Sequence, residues 1–336
     1  MAVTLRSRKD IPPELLDAKN SAVADFLTKE TIQPLAAFAA RPSPSHNLVG
    51  IGIGHKLRNG KPTSRHSIRF YVERKLPDRA IPKEYMLPAR IGKIPTDVVE
   101  TGAFRAFGLP NPEQARIRPA RPGCSIGFQV PGGGSIMAGT FGAVVELDGD
   151  LYILSNNHVL ADENQLALGS PIFQPGLLDK NTPKNDQIAK LTKFVKITAV
   201  GPNQVDCAIA AVLDKRQVRP VIMPKVGKLA SGDPVSAAEN MSVHKTGRTT
   251  GYTRGVIRDI SADVKVGYEV GLVTFANQVL IEGIGGPFSA AGDSGSLIVD
   301  RKTKRPVALL FAGSPKQTIA NHIDDVLEEL GVRIVA

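Results

Sequence analysis

The chain has 336 residues, enough for two or three domains of ordinary size with cores that need no disulfide support. Hydrophobic residues make up 42% and charged residues 22%, which excludes a wholly disordered chain, and two cysteines exclude a disulfide-rich scaffold. The net charge is +10, and it is confined to residues 1–121, which hold 21 Lys and Arg against 11 Asp and Glu, whereas the remainder holds 21 of each. This asymmetry predicts two parts of different character.

The first part is predicted to be a small α+β unit. Apolar residues recur at helical spacing between Leu15 and Leu27, after a proline pair that suits a helix start. The segments NLVGIGIGHKL and HSIRFYVERKL then resemble a hairpin, and apolar and polar residues alternate in the second as in a half-buried strand. A proline-rich stretch follows and is typical of a connection between domains. We predict a basic N-terminal domain over residues 1–110 and a linker over 111–121.

The second part contains short β-like runs separated by Gly, Asn and Pro every ~8–12 residues. This spacing predicts two β units of sandwich or barrel architecture. The last segment, NHIDDVLEELG, carries Ile323, Val326 and Leu330 at helical spacing and ends on Gly331, so a C-terminal helix is expected.

Three segments of the β-rich part carry residue types suited to nucleophilic catalysis. They are SNNHVLA with His158, NQVDCAIA with Asp206 and GGPFSAAGDSGSLIVD with Ser294. A serine hydroxyl needs an imidazole to accept its proton, and the imidazole needs a carboxylate to orient it and stabilise its charged form. The chain order His, Asp, Ser differs from the orders of subtilisin and the α/β-hydrolases.

These motifs resemble those of the chymotrypsin-like serine proteases. GDSGS is similar to their nucleophile loop, NNHVLA to their histidine motif and VDCAIA to their aspartate motif. VHKTGRTTGYTRGVIRDI resembles the segment that opens the second barrel of bacterial α-lytic protease and streptogrisin. The four matches cover roughly residues 122–325. The resemblance implies a mainly β, chymotrypsin-like double β-barrel with a C-terminal helix, its first barrel over 122–217 and its second over 218–336, preceded by the small α+β domain.

The resemblance also implies a trypsin-like serine endopeptidase that works through an acyl-enzyme on a protein or peptide substrate. Ser294 would attack the scissile carbonyl, His158 would act as general base and then general acid, and Asp206 would orient His158. Backbone N–H groups of Gly292 and Ser294 would form the oxyanion hole, and Asp293 would hold the loop. The substrate pocket would be lined by Phe288, Ser289, Ala290, Phe311, Ala312, Gly313, Ser314 and Asn321. None of these is acidic, so we expect an uncharged small or medium residue before the scissile bond.

The chain departs from the family pattern in three ways. Ser296 replaces the second glycine of the commoner nucleophile motif, and His244 and Arg254 stand where secreted relatives carry a disulfide. No Ile-Val-Gly-Gly type of amino terminus precedes the first barrel, so activation through a new N-terminus is not expected. Loss of both cysteines suits a reducing compartment, and we expect Cys124 and Cys207 to be buried thiols, with a bridge between the two as the alternative that the sequence leaves open.

Partners and location follow from what the sequence lacks. It has no RNP-like aromatic motif, zinc-finger spacing or helix-turn-helix signature, so no nucleic-acid partner is expected despite the basic charge. It has no apolar run near the ~20 residues that span a bilayer and no secretory signal, which predicts a cytoplasmic protein without membrane contact.

Cofactors are not expected either. GIGIGH and PGGGS lack the spacing of a phosphate-binding loop. The histidines other than His158 lack a cysteine or carboxylate at ligand spacing, so no metal site is predicted; they are His46, His55, His66, His244 and His322.

Two alternatives stay open at the level of function. The chain could be a gated or inactive protease-fold protein with a binding or regulatory role, or an esterase that uses the same triad. The N-terminal domain could recruit a substrate or partner through its basic surface, the reading we favour from its charge, or cover the cleft as an inhibitory segment.

Overall fold

The structure is a computed structural model that describes residue 5 and residues 7–27, 47–58, 61–102, 104–106, 115–130, 136–179, 183–223 and 225–336. Its α-helices are α1 (Pro13–Ala22), α2 (Asn157–Leu160), α3 (Pro183–Asp186) and α4 (Ile323–Leu330), and a π-helical turn, Val23–Leu27, continues α1. The helix predicted near the N-terminus is confirmed as far as Leu27, and the linker residues 111–114 lie outside the described part.

Two β-sheets hold the strands. The larger sheet contains β1 (Leu48–Arg58), β2 (Lys61–Val72), β3 (Arg90–Ile91), β4 (Ile94–Glu100), β5 (Arg105–Ala106), β13 (Ser242–Gly247), β14 (Gly251–Tyr268), β15 (Gly271–Gly283), β16 (Leu297–Asp300), β17 (Pro306–Gly313) and β18 (Thr318–His322). The smaller sheet contains β6 (Ser125–Phe128), β7 (Gly139–Thr140), β8 (Ala143–Leu147), β9 (Asp150–Ser155), β10 (Pro171–Phe173), β11 (Gln187–Phe194), β12 (Ala208–Val212) and β19 (Arg333–Ile334).

Six strands of the larger sheet close into a barrel. Their order is β13-β16-β17-β18-β15-β14, and β13 also pairs with β14, which completes the ring. The smaller sheet runs in the order β19-β8-β9-β12-β11-β10-β6-β7, with antiparallel pairing throughout. The predicted fold class, a mainly β double barrel with a C-terminal helix, is confirmed by these two sheets.

The N-terminal hairpin extends the larger sheet. β1 pairs antiparallel with β14, with Gly50 opposite Val264 and Ile51 opposite Asp263. A Cβ atom on Gly50 would lie 2.9 Å from the Asp263 carbonyl oxygen, so glycine allows the close approach of the two strands. The buried Lys19 ammonium of α1 lies 3.1 Å from the carboxylate of the same Asp263, so α1 also contacts β14. The predicted boundaries at residues 110, 121 and 217 stay predictions.

A shared core joins the two barrels. One apolar cluster combines Leu154 of β9, Leu309 of β17 and the buried face of α4, which presents Ile323 and Val326. Gly331 ends α4 in the left-handed conformation, with φ 71°, and its N–H donates to the Leu327 carbonyl at 2.8 Å. The predicted C-terminal helix is therefore confirmed, and it helps to fix the cleft between the barrels.

Both cysteines are buried and free, as expected. Burial raises the pKa of the Cys124 thiol to about 12, so this thiol stays protonated. Among the described residues, no helix combines the length and apolar character that a membrane crossing requires.

Candidate active site

His158 and Asp206 form a buried pair in the first barrel. His158 lies on the short helix α2, which follows β9, and Asp206 lies just before β12, the strand that pairs with β9. The His158 Nδ1 atom is 2.6 Å from the Asp206 Oδ2 atom, and both side chains are at most 2% exposed. This contact fixes the imidazole ring so that Nε2 points away from the carboxylate.

The Asp206 carboxylate is held by further donors. Its Oδ1 atom accepts the backbone N–H groups of Asn157 at 2.7 Å and His158 at 3.3 Å. Its Oδ2 atom also accepts the hydroxyl of Tyr268, at 2.6 Å, from the end of β14 in the second barrel. Burial raises the pKa of Tyr268 well above its ordinary value, so the hydroxyl remains a donor. Both barrels thus hold this carboxylate, and no motif in the sequence had pointed to Tyr268.

Asn321, a predicted pocket residue, lies beside this carboxylate. Its Oδ1 atom accepts the backbone N–H of Asp206 at 3.0 Å, and its Nδ2 atom donates to Gln278 at 2.7 Å. Because both ends of the amide are occupied in this way, the structure places Asn321 as a support of the Asp206 backbone.

Ser294 lies in the loop between β15 and β16 and is fully buried. Its hydroxyl donates to the Phe311 carbonyl at 3.3 Å, while the buried His158 Nε2 atom has no hydrogen-bond partner among the described residues. A Cβ atom on Gly139 would lie 2.6 Å from Val159 and 3.0 Å from the Ser294 carbonyl oxygen, so the histidine and serine segments meet across this glycine. The hydrogen bond between Asp206 and His158 is formed, whereas Ser294 and His158 are not hydrogen-bonded to each other.

The backbone around Ser294 presents two free donors. Gly292 has φ 90°, which favours glycine, and a Cβ atom there would overlap Arg248 and Thr249. The N–H groups of Gly292 and Ser294 donate to no acceptor in the described part of the chain, whereas the neighbouring Asp293 N–H donates to Ala290. Two unpaired N–H groups beside a serine are what an oxyanion hole requires.

Asp293 anchors this loop from inside. Its Oδ1 atom accepts the N–H groups of Thr249 at 2.9 Å and Thr250 at 3.1 Å, and its Oδ2 atom accepts the Ala290 N–H at 3.0 Å. The fully buried ammonium of Lys245 lies 3.0 Å from the same oxygen. Burial lowers the pKa of Lys245, and the Asp293 charge opposes that shift. The RTTG segment is therefore scaffold that sets the position of the nucleophile loop.

The other predicted pocket residues lie on two adjacent segments. Phe288, Ser289 and Ala290 precede Ser294 in its loop, and Phe311, Ala312, Gly313 and Ser314 form the end of β17 and the residue after it. The Ser289 hydroxyl hydrogen-bonds to the Thr318 hydroxyl at 2.6 Å, which ties the first segment to β18.

A strand from the N-terminal third lies along the second of these segments. β5 pairs antiparallel with β17, with Ala106 opposite Ala312 and Arg105 opposite Gly313. Its other edge meets β14, where Gly267 pairs with Arg105. The buried Phe104 belongs to the same apolar cluster as Tyr268 and Phe311.

Just before β5, the Thr101 carbonyl accepts the Ser314 hydroxyl. The end of β17 is therefore paired with another segment of this chain. The paired residues follow directly after Phe311, whose carbonyl accepts the Ser294 hydroxyl.

Glu163 is a second functional candidate that the motifs did not indicate. Burial raises its pKa to about 7; the charge of Glu269 adds to the shift, and His158 opposes it. The Glu269 N–H donates to the Glu163 carboxylate at 2.8 Å. A carboxyl group that interacts with His158 and titrates near neutrality adds a charge whose state can influence the site.

No protein-family model and no curated protein matches the chain. Among solved structures, it is similar to Thermobifida fusca protease A at 17% identity, over 65% of this chain and 100% of that one, with TM-score 0.46. It is also similar to a glutamic acid specific serine protease, at 18% identity over 64% and 100% with TM-score 0.46. Nocardiopsis protease matches at 14% identity over 65% and 100%, with TM-score 0.45. These identities and TM-scores are low, so what the site can do follows from this chain's own residues.

Proposed function

We propose that this protein is a serine endopeptidase in which Ser294, His158 and Asp206 form the catalytic triad. The observation that carries the proposal is the buried His158–Asp206 pair at 2.6 Å, set beside a serine loop with two unpaired N–H groups. Three of the four motifs that resemble chymotrypsin-like serine proteases supply these residue types in the required chain order. Both lines of support meet at the same three residues.

The chemistry begins with a rotation of the Ser294 side chain. Ser294 turns its hydroxyl from the Phe311 carbonyl towards His158 Nε2, which accepts the proton as Oγ attacks the scissile carbonyl carbon. The resulting oxyanion is stabilised by the N–H groups of Gly292 and Ser294. The C–N bond then breaks, and His158 returns the proton to the leaving amine.

Hydrolysis of the acyl-enzyme repeats these steps with water. His158 accepts a proton from the water as its oxygen attacks the acyl carbon, and the carboxylic product leaves as Ser294 regains its proton. The Asp206 carboxylate stabilises the charged imidazole, and Tyr268 and two backbone N–H groups donate hydrogen bonds to that carboxylate.

A peptide is the substrate class that the cleft supports best. The end of β17 already pairs with a peptide strand, β5, so its backbone groups can recognise an extended chain in a way that a simple ester could not use. The residues proposed to line the pocket are uncharged, which supports an uncharged side chain before the scissile bond.

We infer that the chain as described is a gated form of this peptidase. Three observations favour gating: β5 pairs with β17, Ser294 is fully buried, and His158 Nε2 has no partner in the described residues. They favour a covering role for the segment around β5 over the recruiting role that the basic charge suggested.

A fluorophosphonate probe tests the assignment, because it reacts with serines activated by a base and an oxyanion hole. We expect wild type to be labelled and Ser294→Ala and His158→Ala to remain unlabelled, while circular dichroism shows all three folded. Equal labelling of wild type and Ser294→Ala would contradict the assignment. Labelling of neither wild type nor a variant with a loosened β5 segment would point instead to an inactive protease-fold protein.

A further inference from the structure

Three side chains with metal-binding atoms meet where the N-terminal hairpin touches the second barrel. His55 of β1 and His66 of β2 are directly opposite in the antiparallel ladder, and their rings stack with centroids 4.4 Å apart. Glu239, in the loop before β13, reaches the same point. Two histidines and one carboxylate from three separate segments thus converge on one volume.

The spacing of their atoms suits a tetrahedral metal ion. The Glu239 Oε2 atom is 3.2 Å from His66 Nε2 and 3.6 Å from His55 Nε2, and all three ligand atoms lie within 4.8 Å of one another. Metal bonds of about 2.0–2.1 Å at tetrahedral angles place neighbouring ligand atoms about 3.3 Å apart. The separations of Glu239 Oε2 from the two histidine nitrogens, 3.2 Å and 3.6 Å, lie on either side of this value.

Glu239 provides an independent observation. Its side chain is only 2% exposed, and its Oε1 atom is buried without a hydrogen-bond partner in the described residues. The Leu5 N–H donates to the other oxygen, Oε2, at 3.3 Å. A buried carboxylate oxygen without a partner is costly, and a cation held by both oxygens of Glu239 would give Oε1 the partner that it lacks.

The cluster is also accessible. His55 and Glu239 help to line a cavity of about 610 Å³, together with Tyr71, Arg258 and Lys316. The cavity gives an ion a route of entry and leaves room for water in a fourth coordination position.

We propose that His55, His66 and Glu239 bind one Zn²⁺ ion, which joins the N-terminal hairpin to the second barrel. Two imidazoles and one carboxylate favour zinc over Mg²⁺ or Ca²⁺, which prefer oxygen ligands alone. Along the chain no cysteine or carboxylate stands at ligand spacing from these histidines, so the sequence predicted no metal site. Glu239 lies 173 residues after His66 along the chain, and only the fold brings them together.

The first test measures zinc binding to the full-length protein and does not depend on peptidase activity. Chelator-treated protein is titrated with Zn²⁺ in competition with a chromophoric chelator. We expect one equivalent to bind to wild type, and the Kd to rise at least about 100-fold in His66→Ala and Glu239→Gln. His244→Ala removes a buried histidine elsewhere and is expected to keep wild-type affinity. Stoichiometric binding that is unchanged in the two cluster variants, or no binding by wild type, would overturn the proposal.

A second test covers the case in which a variant fails to fold. Co²⁺ bound to wild type should show the visible absorption of a tetrahedral site, and His66→Cys should add a thiolate-to-cobalt charge-transfer band. Wild type contains only two buried cysteines, in other parts of the fold, so the band would report residue 66. Octahedral or absent cobalt absorption in wild type would overturn the proposal without any variant.

Discussion

At the residue scale, Asp206 is the residue of the candidate triad whose side chain is held by the most hydrogen bonds. Tyr268 donates to the same oxygen that faces His158, and its ring stacks on Phe275 with centroids 5.8 Å apart. This hydroxyl acts through Asp206 and would not touch a substrate, so Tyr268 is a positioning residue. It also links the second barrel to a carboxylate that belongs to the first.

Tyr268→Phe removes the hydroxyl and keeps the ring. A hydrogen bond to a charged group contributes about 1.5–3 kcal/mol, so we expect the rate constant of fluorophosphonate labelling to fall about tenfold or more. On a peptide substrate, kcat should fall while KM stays near its wild-type value.

Tyr152→Phe is the matched control. Tyr152 lies on β9, away from the hydrogen bond between the Tyr268 hydroxyl and Asp206, so the labelling rate of this variant should not change. An unchanged rate in Tyr268→Phe would show that the two backbone N–H groups and His158 alone suffice to hold Asp206.

Motifs could indicate His158, Asp206 and Ser294 because the proposed acyl transfer requires these residue types, and each of them lies in a short segment that resembles a family motif. They could not indicate Tyr268, since an aromatic residue near the end of a strand is usually part of a core. They assigned Asn321 to the pocket, which stays a prediction, and gave no sign that its amide accepts the Asp206 backbone N–H. Both cases depend on which side chain of one barrel reaches a group of the other, and local sequence does not encode that.

At the scale of elements, β5 is the strand that we propose covers the candidate active site. Two paired residues contribute little by themselves, so Phe104, buried beside Tyr268 and Phe311, is expected to provide much of the attachment. Truncating a buried Phe to Ala costs about 3–5 kcal/mol, and each 1.4 kcal/mol is a factor of ten. We therefore expect Phe104→Ala to raise the rate of fluorophosphonate labelling at least about tenfold.

Phe194→Ala truncates a partly buried Phe of β11 in the first barrel and serves as the matched control. Its labelling rate should stay near wild type even if its stability falls. A folded Phe104→Ala protein that is labelled no faster than wild type would contradict gating by this segment.

Periodicity predicted the elements that make their own amphipathic pattern. The helix that contains Ile323 and Val326 buries one regular face, so its own segment reveals it. The strand that contains Ile68 and Phe70 was predicted to be half-buried, but Arg69 and Tyr71 on its other face are buried as well, because other parts of the fold cover both faces. β5 has two residues and no pattern of its own, because its existence depends on the backbone edges of β14 and β17. Sequence reasoning named an inhibitory segment as an alternative but could not locate it.

At the scale of the whole molecule, the N-terminal third and the second barrel contribute strands to one β-sheet, and a buried carboxyl group lies where they join. Asp259 of β14 is fully buried, accepts the Tyr71 hydroxyl of β2 and accepts the Ser261 N–H at 2.9 Å. Burial raises its pKa from 3.8 to about 7, and the Tyr71 hydrogen bond opposes that shift. The junction between the two parts of the chain therefore holds a carboxyl group that is protonated at mildly acidic pH.

This raised pKa makes stability fall as pH rises. Between pH about 4 and about 7 the folded protein keeps a proton on Asp259 that the unfolded chain has lost, so the contribution of this group to the free energy of unfolding decreases across that window. Three pKa units at 1.36 kcal/mol each set the decrease at about 4 kcal/mol. Asp259→Asn removes the titration, so its unfolding free energy relative to wild type should improve by that amount from pH 4 to pH 7.5.

Urea unfolding of wild type and Asp259→Asn at several pH values measures this difference, since all other titrating groups are common to both proteins. Asp150→Asn, which changes an exposed carboxyl group of β9, should give a profile parallel to wild type. Parallel profiles for Asp259→Asn and wild type would mean that Asp259 ionises normally in the folded state. The expected divergence would show instead that the sheet shared by the N-terminal hairpin and the second barrel is most stable in mild acid, because the carboxyl group at their junction is buried in its neutral form.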